Sequence, residues 1–401
     1  MIYKSVTLKR GKEDSLRRFH PWVFSGAIAA ADDTIEEGDL VTVYAHDGTL
    51  IGNGHSQIGS IAVRMLTFDD TAIDEAFYAK RLEDAYRMRQ ALGLQREDNN
   101  AFRLVHGEGD FLPGLVVDIY GPTAVMQAHS PGMHFARNMI AQALTQLPDG
   151  IVRNVYYKSE TTLPYKAHLD PINDYIIGNM ETDEALENGL RFHVDWLKGQ
   201  KTGFFVDQRE NRALVEHFAR GRRVLNMFCY TGGFSFYAMR GGAELVHSVD
   251  VSKQAISITN ANVELNFPGD PRHSAYAADA FDFLKNPGRF TSIEGTFPYD
   301  LVILDPPAFA KHKKVLHNAL RGYQKLNAAA LERMPSGSIL FTFSCSQVVT
   351  KDDFRCAVFS AAAQVGRRVR ILYQLHQPAD HPINIYHPEG EYLKGLVLYV
   401  E

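Results

Sequence analysis

The sequence predicts an α/β fold, with a doubly wound, mainly parallel sheet in the C-terminal half preceded by a small β-barrel and an α+β region. Short apolar runs alternate with helical stretches beyond residue 186, as in strand–helix–strand units. β-prone runs separated by turn residues fill the first 70 positions. A chain of 401 residues is long enough for two or three domains. We therefore expect domains at residues 1–70, 71–185 and 186–401.

The N-terminal region is expected to be a small all-β barrel. The β-prone runs 40–44 and 50–54 flank His46-Asp47-Gly48, and Asp-Gly between such runs is a strong hairpin signal. Residues 61–65 form another predicted strand.

The middle region mixes helices and strands. A helix over 76–92 is predicted by apolar residues that recur on one face, with Gly93 as its stop. The acidic stretch 181–187, which ends at Asn188-Gly189, is expected to be a linker or a hairpin. The remaining predicted elements are strands at 112–120, 123–128 and 152–158 and a helix at 134–146.

The C-terminal region should place its ligands at one edge of the sheet. In doubly wound sheets, ligands bind outside the carboxyl ends of the strands, so the residues that follow each strand are candidate site residues. The predicted strands are 223–227, 245–249, 275–277, 301–304 and 339–343.

Composition and charge narrow the class of protein. Hydrophobic residues make up 45% of the chain, no apolar run is long enough to cross a membrane, and the N-terminus lacks a signal core. Three scattered cysteines indicate reduced thiols, so we expect a cytoplasmic protein. No Cys or His cluster has the spacing of zinc ligands, so we expect no metal site. The net charge of −5 argues mildly against a nucleic-acid partner unless basic residues cluster locally. Two segments are basic, the first with Lys4, Lys9, Arg10, Lys12, Arg17 and Arg18 and the second with Lys311, Lys313, Lys314, Arg321 and Lys325.

The ends of the first three predicted strands suit an adenosine-type ligand. Gly232-Gly233 lets the backbone turn tightly before a helix, although a plain turn explains it equally well. Asp250 follows at close to the spacing of about 20 residues expected for an acid that binds ribose hydroxyls. Asp279, with Ala280 and Phe281, could read an adenine amino group under apolar cover. Both acids could instead be helix N-caps.

The fourth strand end suits a nucleobase that has been flipped out of its stack. Asp305 is followed by Pro306-Pro307, which fixes the backbone and so holds the carboxylate and nearby carbonyls rigidly. Phe309 could form the aromatic wall that a flipped base needs. The second basic segment follows directly, where the neighbouring phosphates would lie.

The fifth strand end carries a candidate nucleophile. Cys345 lies between Ser344 and Ser346 at the predicted substrate edge, and a thiolate nucleophile needs such access. A buried structural cysteine remains the alternative, and it is the expected role of Cys229 and Cys356.

Three motifs at these strand ends are distinctive: Leu225-Asn226-Met227-Phe228-Cys229-Tyr230-Thr231-Gly232-Gly233-Phe234, Asp305-Pro306-Pro307 and Phe343-Ser344-Cys345-Ser346. Together they resemble the bacterial large-subunit rRNA cytosine-5 methyltransferases, which carry an N-terminal PUA RNA-binding domain. The likeness spans nearly the whole chain. Further matching segments are His20-Pro21-Trp22-Val23-Phe24-Ser25-Gly26, Leu112-Pro113-Gly114-Leu115, Val117-Asp118, Gln200-Lys201-Thr202-Gly203-Phe204-Phe205, Asp207-Gln208-Arg209, Asp380-His381-Pro382 and Glu389-Gly390-Glu391-Tyr392-Leu393-Lys394-Gly395.

The resemblance implies a Rossmann-like class I methyltransferase sheet behind a PUA-like domain, with S-adenosylmethionine as methyl donor and a cytosine of 23S rRNA as acceptor. It implies that Cys345 is the nucleophile and that Asp305 positions the base. The donor-binding residues would be Phe228, Tyr230, Thr231, Gly232, Gly233, Asp250, Asp279, Ala280 and Asp305. The substrate-binding residues would be Pro306, Pro307, Phe309, Lys311 and Arg321.

Three other functions stay open at this stage. A methyltransferase acting on an exocyclic amine or on guanine would need no cysteine. A nicotinamide-dependent oxidoreductase could use the same sheet, although the G-x-G-x-x-G motif is missing. A non-catalytic PUA-type protein would only bind RNA. The sequence does not decide the oligomeric state, for which a homodimer is one candidate, and fold alone cannot choose among these activities.

Overall fold

A computed structural model describes residues 3–164, 167–291 and 297–401. The chain divides into two compact units. Across the described ranges, no helix combines the length and apolar character needed to span a bilayer. The first unit comprises Met1–Gly189, Val194–Asp207 and Ala379–Gly390, and the second comprises Leu190–His193, Gln208–Pro378 and Glu391–Glu401.

The N-terminal part of the first unit is a six-stranded sheet with a small apolar core. The predicted hairpin is confirmed, because the strands at 40–44 and 50–56 pair antiparallel. The strand predicted at 61–65 is also present. The strands are β1 (Lys4–Leu8), β2 (Trp22–Phe24), β3 (Ile28–Ala31), β4 (Leu40–Tyr44), β5 (Leu50–Ser56) and β6 (Ile61–Met65), in the order β2-β6-β5-β4-β1-β3.

The rest of the first unit is a five-stranded sheet with helices. Its central strands are wholly buried and share one apolar core with the first helix. The elements are α1 (Glu75–Ala91), β7 (Ala101–His106), β8 (Leu115–Tyr120), β9 (Thr123–Ala128), α2 (Pro131–Phe135), α3 (Arg137–Thr145), β10 (Asn154–Lys158), β11 (Asn173–Ile177) and β12 (Glu184–Glu187), and the sheet order is β11-β10-β9-β8-β7.

Local turn chemistry shifts several predicted boundaries in the first unit. The single helix predicted at 134–146 is two helices that meet at Ala136, and the first begins earlier because Ser130 caps it from the residue before Pro131. The strand predicted from residue 112 begins three residues later, after Gly114 at φ +86°. Asn188-Gly189 is a turn, with both residues at positive φ, before the next strand.

The second unit is built on a seven-stranded sheet with helices between its strands. All five predicted strands are present, and the structure adds two C-terminal strands that were not predicted. The elements are β13 (Leu190–His193), α4 (Arg209–Phe218), β14 (Arg223–Met227), α5 (Gly233–Arg240), β15 (Leu245–Asp250), α6 (Lys253–Asn266), β16 (His273–Ala277), α7 (Ala280–Lys285), β17 (Leu301–Leu304), α8 (Leu316–Leu331), β18 (Ser338–Ser344), α9 (Lys351–Gln364), β19 (Val369–His376) and β20 (Lys394–Val400).

The strand order of this sheet is β16-β15-β14-β17-β18-β20-β19. The pairings from β16 across to β18 are all parallel, and β20 is antiparallel to both of its neighbours. The chain runs outward to one side from β14 and to the other side from β17, so the crevice between these two strands is the topological switch point of the sheet. Ligands bind at such a point, outside the carboxyl ends of the strands.

Candidate active site

The loop after β14 is held in a strained backbone conformation. Phe228 and Tyr230 have φ values of +59° and +47°, and Gly232 follows at +89°. Left-handed backbone is unfavourable for bulky residues and clusters at ligand-binding sites. Helix α6 fixes the loop, because the Thr259 hydroxyl donates to the Tyr230 carbonyl at 2.9 Å and the Asn262 amide donates to the Thr231 carbonyl at 3.2 Å.

Gly232 has no room for a side chain. A Cβ atom there would lie 2.5 Å from the Phe236 ring and 2.8 Å from the Thr259 methyl group. The next residue, Gly233, begins α5, and a Cβ on it would approach the Arg212 side chain to 2.9 Å. Gly232 is therefore required for close packing behind the loop, in addition to its backbone freedom, whereas a Cβ at Gly233 would have to displace the Arg212 side chain.

Asp250 joins the first two strand ends. Its Oδ2 accepts the Tyr230 backbone N–H at 3.0 Å, and its Oδ1 accepts the Ser252 N–H at 2.9 Å. An ionised carboxylate has about four acceptor positions, so two more hydrogen bonds can form. The half-buried carboxylate can therefore still accept a pair of ribose hydroxyls. The helix-capping alternative does not apply, because the N-cap of α6 is Ser252.

Asp279 does cap a helix, as the alternative interpretation allowed. Its Oδ1 accepts the backbone N–H groups of Phe281 at 2.9 Å and Asp282 at 3.1 Å, at the start of α7. Ala280 is buried, whereas Phe281 is 42% exposed. The Asp279 carboxyl group and the Phe281 ring are thus both exposed just beyond the end of β16.

These residues fit an S-adenosyl ligand. The strained glycine turn brings backbone close to the switch point, and the second strand end supplies a carboxylate with remaining acceptor capacity. Asp250 is the last residue of β15, and the other candidates lie on loops or helix starts that follow β14 and β16: Phe228, Tyr230, Thr231, Gly232, Gly233, Asp279 and Ala280.

Asp305 is held by a residue that the sequence did not single out for this role. The Gln208 side-chain amide donates to Asp305 Oδ2 at 3.0 Å, and Asn211 donates to the Gln208 carbonyl oxygen at 2.6 Å. Gln208 and Asn211 are both buried, so this chain of bonds fixes the carboxylate at the end of β17. The rigid acceptor predicted from the two prolines is thus supported by an amide as well.

An aromatic stack follows Asp305. Pro306 is buried and Pro307 is exposed, so the loop reaches from the core to the surface. The Phe309 ring lies 4.6 Å from the Tyr323 ring and packs over Gly322, where a Cβ would approach it to 3.0 Å. Phe309 is half-buried, which leaves part of the ring accessible as the wall that was predicted.

Cys345 lies directly beside this loop. Its Sγ is 4.0 Å from the Pro306 carbonyl oxygen, across the carboxyl edge between β17 and β18. The adjacent serines are tied to one tyrosine, since Tyr323 Oη is 2.9 Å from Ser344 Oγ and 3.0 Å from Ser346 Oγ. Ser346 also accepts the Ala310 N–H at 3.3 Å. The loop that carries the thiol is therefore fixed on both sides, and the sheet edge brings Cys345 and Asp305 together as expected.

The three cysteines differ as the sequence predicted for two of them. Cys229 is buried, and burial raises the pKa of its thiol far above the usual range. Cys345 is half-buried. Cys356 is exposed on α9, which corrects the expectation that it is a buried structural residue.

A buried lysine lies under the Cys345 loop. Lys394, at the start of β20, pairs in register with Ser344 and donates from Nζ to the carbonyl oxygens of Ser346 at 2.6 Å and Val349 at 2.7 Å. Burial lowers the pKa of Lys394 to about 8, while the nearby Cys345 acts in the opposite direction. The sequence signal for this residue is its place in the segment 389–395, which resembles the family, but that segment does not show the buried contact.

The basic residues occupy the surface. Lys311, Lys313, Lys314, Arg321 and Lys325 are exposed on the segment after Asp305 and on α8. In the first unit, three of the six N-terminal cations form an ion pair or a hydrogen bond with residues of that unit. Lys4 pairs with Asp39 at 2.6 Å, Lys9 donates to the Gly26 carbonyl, and Arg18 donates to the Asp14 carbonyl.

Comparisons with known proteins identify the family of the chain. The sequence model for S-adenosylmethionine-dependent methyltransferases matches residues 138–382, and a PUA-like domain matches residues 6–68. The chain is 40% identical to the ribosomal RNA large subunit methyltransferase I of Alteromonas mediterranea, over 98% of both chains. It is 39% identical to the protein of that name from Shewanella frigidimarina, over 98% of this chain and 99% of the relative.

Solved structures share the fold. A candidate S-adenosylmethionine-dependent methyltransferase from Streptococcus mutans superposes with a TM-score of 0.82 at 22% identity, over 99% of this chain and 100% of that chain. A structure of a candidate methyltransferase complexed with S-adenosylhomocysteine gives the same TM-score at 23% identity and the same coverage. The chain therefore belongs to the S-adenosylmethionine-dependent methyltransferase family, in the group whose curated members are called ribosomal RNA large subunit methyltransferase I.

Proposed function

We propose that this protein transfers a methyl group from S-adenosylmethionine to carbon 5 of a cytosine in 23S rRNA, through a covalent adduct with Cys345. The observation that carries the proposal is the position of the thiol. Cys345 Sγ lies 4.0 Å from the Pro306 carbonyl, on the loop that begins with Asp305, at the substrate edge of a methyltransferase sheet. The ribosomal RNA named for its relatives supports RNA as the substrate class.

The chemistry requires activation of the base, because carbon 5 of cytosine is a poor nucleophile. The Cys345 thiolate would add to carbon 6, which gives carbon 5 the character of an enamine. Carbon 5 would then bond to the electrophilic methyl group that S-adenosylmethionine supplies, with S-adenosylhomocysteine as the leaving group. A general base would take the carbon 5 proton, whose electron pair re-forms the C5–C6 double bond as the thiolate leaves.

Asp305 would orient the cytosine during this reaction. Its Oδ2 accepts the Gln208 amide, so the carboxyl group is fixed and one of its oxygens would accept a hydrogen bond from the cytosine amino group. In its protonated form the same group would donate to ring nitrogen 3, where negative charge develops when the thiolate adds, and a group that is already fixed needs no rearrangement as this charge forms. Pro306, Pro307 and Phe309 would hold the flipped base, and the exposed Lys311 and Arg321 would contact neighbouring phosphates.

The residues at the ends of β14, β15 and β16 would bind the cofactor. Phe228, Tyr230, Thr231, Gly232 and Gly233 would contact the donor through the strained loop. Asp250 would accept the ribose hydroxyls, while Asp279 and Ala280 would border the adenine and Asp305 would face the methyl-bearing end. We also propose the domain division at residues 1–70, 71–185 and 186–401 and a cytoplasmic location.

Nucleoside mass spectrometry tests the proposal. Unmodified 23S rRNA is incubated with S-adenosylmethionine and either the wild-type protein or Cys345→Ala, and Cys356→Ser serves as a matched control that also removes a thiol. We expect new 5-methylcytidine from the wild type and from the control and none from Cys345→Ala, although all three proteins bind the donor. A different methylated nucleoside, or product from Cys345→Ala, would overturn the assignment. Methylation of an exocyclic amine would give that result.

A further inference from the structure

The first unit contains a cavity of about 260 Å³ with an aromatic rim. This volume lies slightly below the range of about 300–1,000 Å³ that is typical of small-molecule pockets, so the cavity has room for one ring system. Its lining is mainly apolar but includes one guanidinium and one carboxylate. The aromatic residues are Phe19, Phe68, Phe111 and Tyr386, and the charged residues are Arg81 and Glu108.

Two rim residues are held in strained backbone. Phe19 has a φ of +63° and Phe111 a φ of +57°, and each directly follows a short 3-10 turn whose carbonyl its N–H contacts. A left-handed conformation is unfavourable for a phenylalanine and persists only where the surroundings impose it. It turns both rings outward, since Phe19 is 47% and Phe111 is 46% exposed.

The rim also carries a guanidinium group and aromatic rings, which are groups that recognise a planar, electron-rich ring. The guanidinium of Arg81 lies 5.6 Å from the centre of the Phe111 ring. The Phe19 ring lies 5.2 Å from the Tyr386 ring, which is itself 45% exposed. Unpaired nucleobases stack on aromatic side chains and on arginine planes, and they do so largely without regard to sequence.

The polar groups at the floor are fixed. Glu108 Oε1 accepts the Arg64 guanidinium at 2.6 Å and the Trp22 indole N–H at 2.9 Å. Its backbone carbonyl accepts the buried Asn384 amide at 3.1 Å. This carboxylate can accept a further hydrogen bond from a ring amino group, so the floor is polar where the rim is apolar.

The geometry points to a binding site for one unpaired nucleobase of the RNA substrate at this cavity, formed by Phe19, Phe111, Tyr386 and Arg81. The inference rests on the proposed RNA substrate and adds a contact that is separate from the reacting cytosine. An RNA occupant is favoured over a protein segment because exposed Arg17 and Arg18 directly precede Phe19, where the phosphates beside an inserted base would lie.

The test is a binding titration with two probes. One is a single-stranded oligoribonucleotide, and the other has the same length and charge but abasic nucleotides. Wild type is compared with Phe111→Ala and Tyr386→Ala, and Phe359→Ala is the matched control because Phe359 is 69% exposed on α9 and does not line this cavity. Two independent rim variants keep the test valid if one of them folds poorly.

We expect each rim variant to bind the normal oligonucleotide about tenfold more weakly, because one stacking contact contributes roughly that factor. Binding to the abasic probe and the slope of affinity against salt should stay unchanged, since no phosphate contact is removed. The Phe359→Ala control should match the wild type with both probes. Equal binding of the normal oligonucleotide by wild type and both rim variants would overturn the inference, as would a wild type that does not distinguish the two probes.

The result is distinguishable from a failure of the proposed function. Donor affinity and the formation of 5-methylcytidine depend on the second unit and on Cys345. If no 5-methylcytidine forms but the rim variants lose the preference for bases, the nucleobase site stands and the reaction assignment fails. If the rim variants lower the affinity for a protein ligand and not for RNA, the site binds protein and the inference is wrong.

Discussion

Two regions of the molecule each hold a pair of aromatic residues in left-handed backbone. They differ in how far the pair is buried and hydrogen-bonded. In the loop after β14, Phe228 and Tyr230 are half-buried, and Tyr230 is bound through both its N–H and its carbonyl. At the cavity of the first unit, Phe19 and Phe111 expose nearly half of their surface. The first pair belongs to the closed loop 228–233, which we call the cradle. The second pair forms an open rim.

The difference indicates what each strained segment is built to bind. A cradle fixed by Asp250 and Thr259 can present backbone groups to one ligand in one orientation, as a cofactor site requires. An open rim offers ring faces and few directional groups, so it suits a base of any identity. Strained backbone is therefore common to both proposed sites, and the surrounding hydrogen bonds distinguish the one proposed to be specific from the one proposed to tolerate any base.

The largest effect should follow from filling the cradle. Gly232→Ala forces a Cβ to within 2.5 Å of the Phe236 ring in a backbone conformation that disfavours alanine. We expect S-adenosylmethionine affinity to fall by at least about a hundredfold and the unfolding free energy of the second unit to fall by about 2–4 kcal/mol. Calorimetric titration and urea unfolding measure the two quantities.

Gly221→Ala is the matched control for that substitution. Gly221 has a φ of +70°, but a Cβ atom added there would meet no atom within 4 Å beyond its chain neighbours. It should therefore show the backbone cost of about 1 kcal/mol without loss of donor affinity. Equal donor affinity in the two variants would show that the cradle is not the cofactor site.

A second test concerns charge instead of strain, at the end of the sheet edge that carries Cys345. It measures whether the Lys394 ammonium favours the Cys345 thiolate. Removing the ammonium in Lys394→Met should make the Cys345 thiolate harder to form, because a nearby cation favours a thiolate. In a Cys356→Ser background, we expect the pH midpoint for alkylation of Cys345 to rise by about one unit. Mass spectrometry of the Cys345 peptide measures the rate at each pH.

The sign of the pH dependence follows from the lysine itself. The pKa of Lys394 is lowered to about 8, so its ammonium is present below that pH and lost above it. The difference between wild type and Lys394→Met should be greatest below pH 8 and should shrink above it. Lys285→Met, which removes an exposed lysine on α7, should leave the profile unchanged. A purely structural role of Lys394 would leave the midpoint where it is.

The smallest effect tests strain at the open rim. At Phe111, with a φ of +57°, glycine should be more stabilising than alanine by about 1 kcal/mol. At Phe359, inside α9, the order should reverse by a similar amount, because glycine is a poor helix residue. Urea unfolding of the four variants measures both differences. The same order at both positions would mean that the rim is not strained.

Much of the second unit could be predicted from the sequence because each strand end is marked by the residues that directly follow an apolar run. Apolar runs followed by Gly232-Gly233, Asp250, Asp305 and Cys345 placed these residues at one sheet edge, and the structure places them there. Strand β20 was missed, since it enters the sheet antiparallel from the far end of the chain and no local pattern reports such pairing.

Contacts between distant segments account for the rest. Gln208 and Lys394 both lie in segments that resemble the family. Gln208 contacts Asp305 across 97 positions and Lys394 contacts Ser346 across 48, so the segments themselves do not show these contacts. The proposed nucleobase cavity combines Phe19 and Phe111 with Tyr386 from a third segment. Left-handed backbone at a phenylalanine has no sequence signature, because glycine and asparagine are the residues that normally mark it.

The most direct test of the covalent mechanism is to trap the adduct. RNA transcribed with 5-fluorocytidine carries fluorine in place of the proton that must leave carbon 5, so the bond between Cys345 and carbon 6 cannot be released after methyl transfer. With S-adenosylmethionine present, we predict a denaturation-resistant protein–RNA complex whose linked peptide contains Cys345, and no complex with Cys345→Ala. Formation of 5-methylcytidine on normal RNA without any trapped adduct on fluorinated RNA would contradict the account.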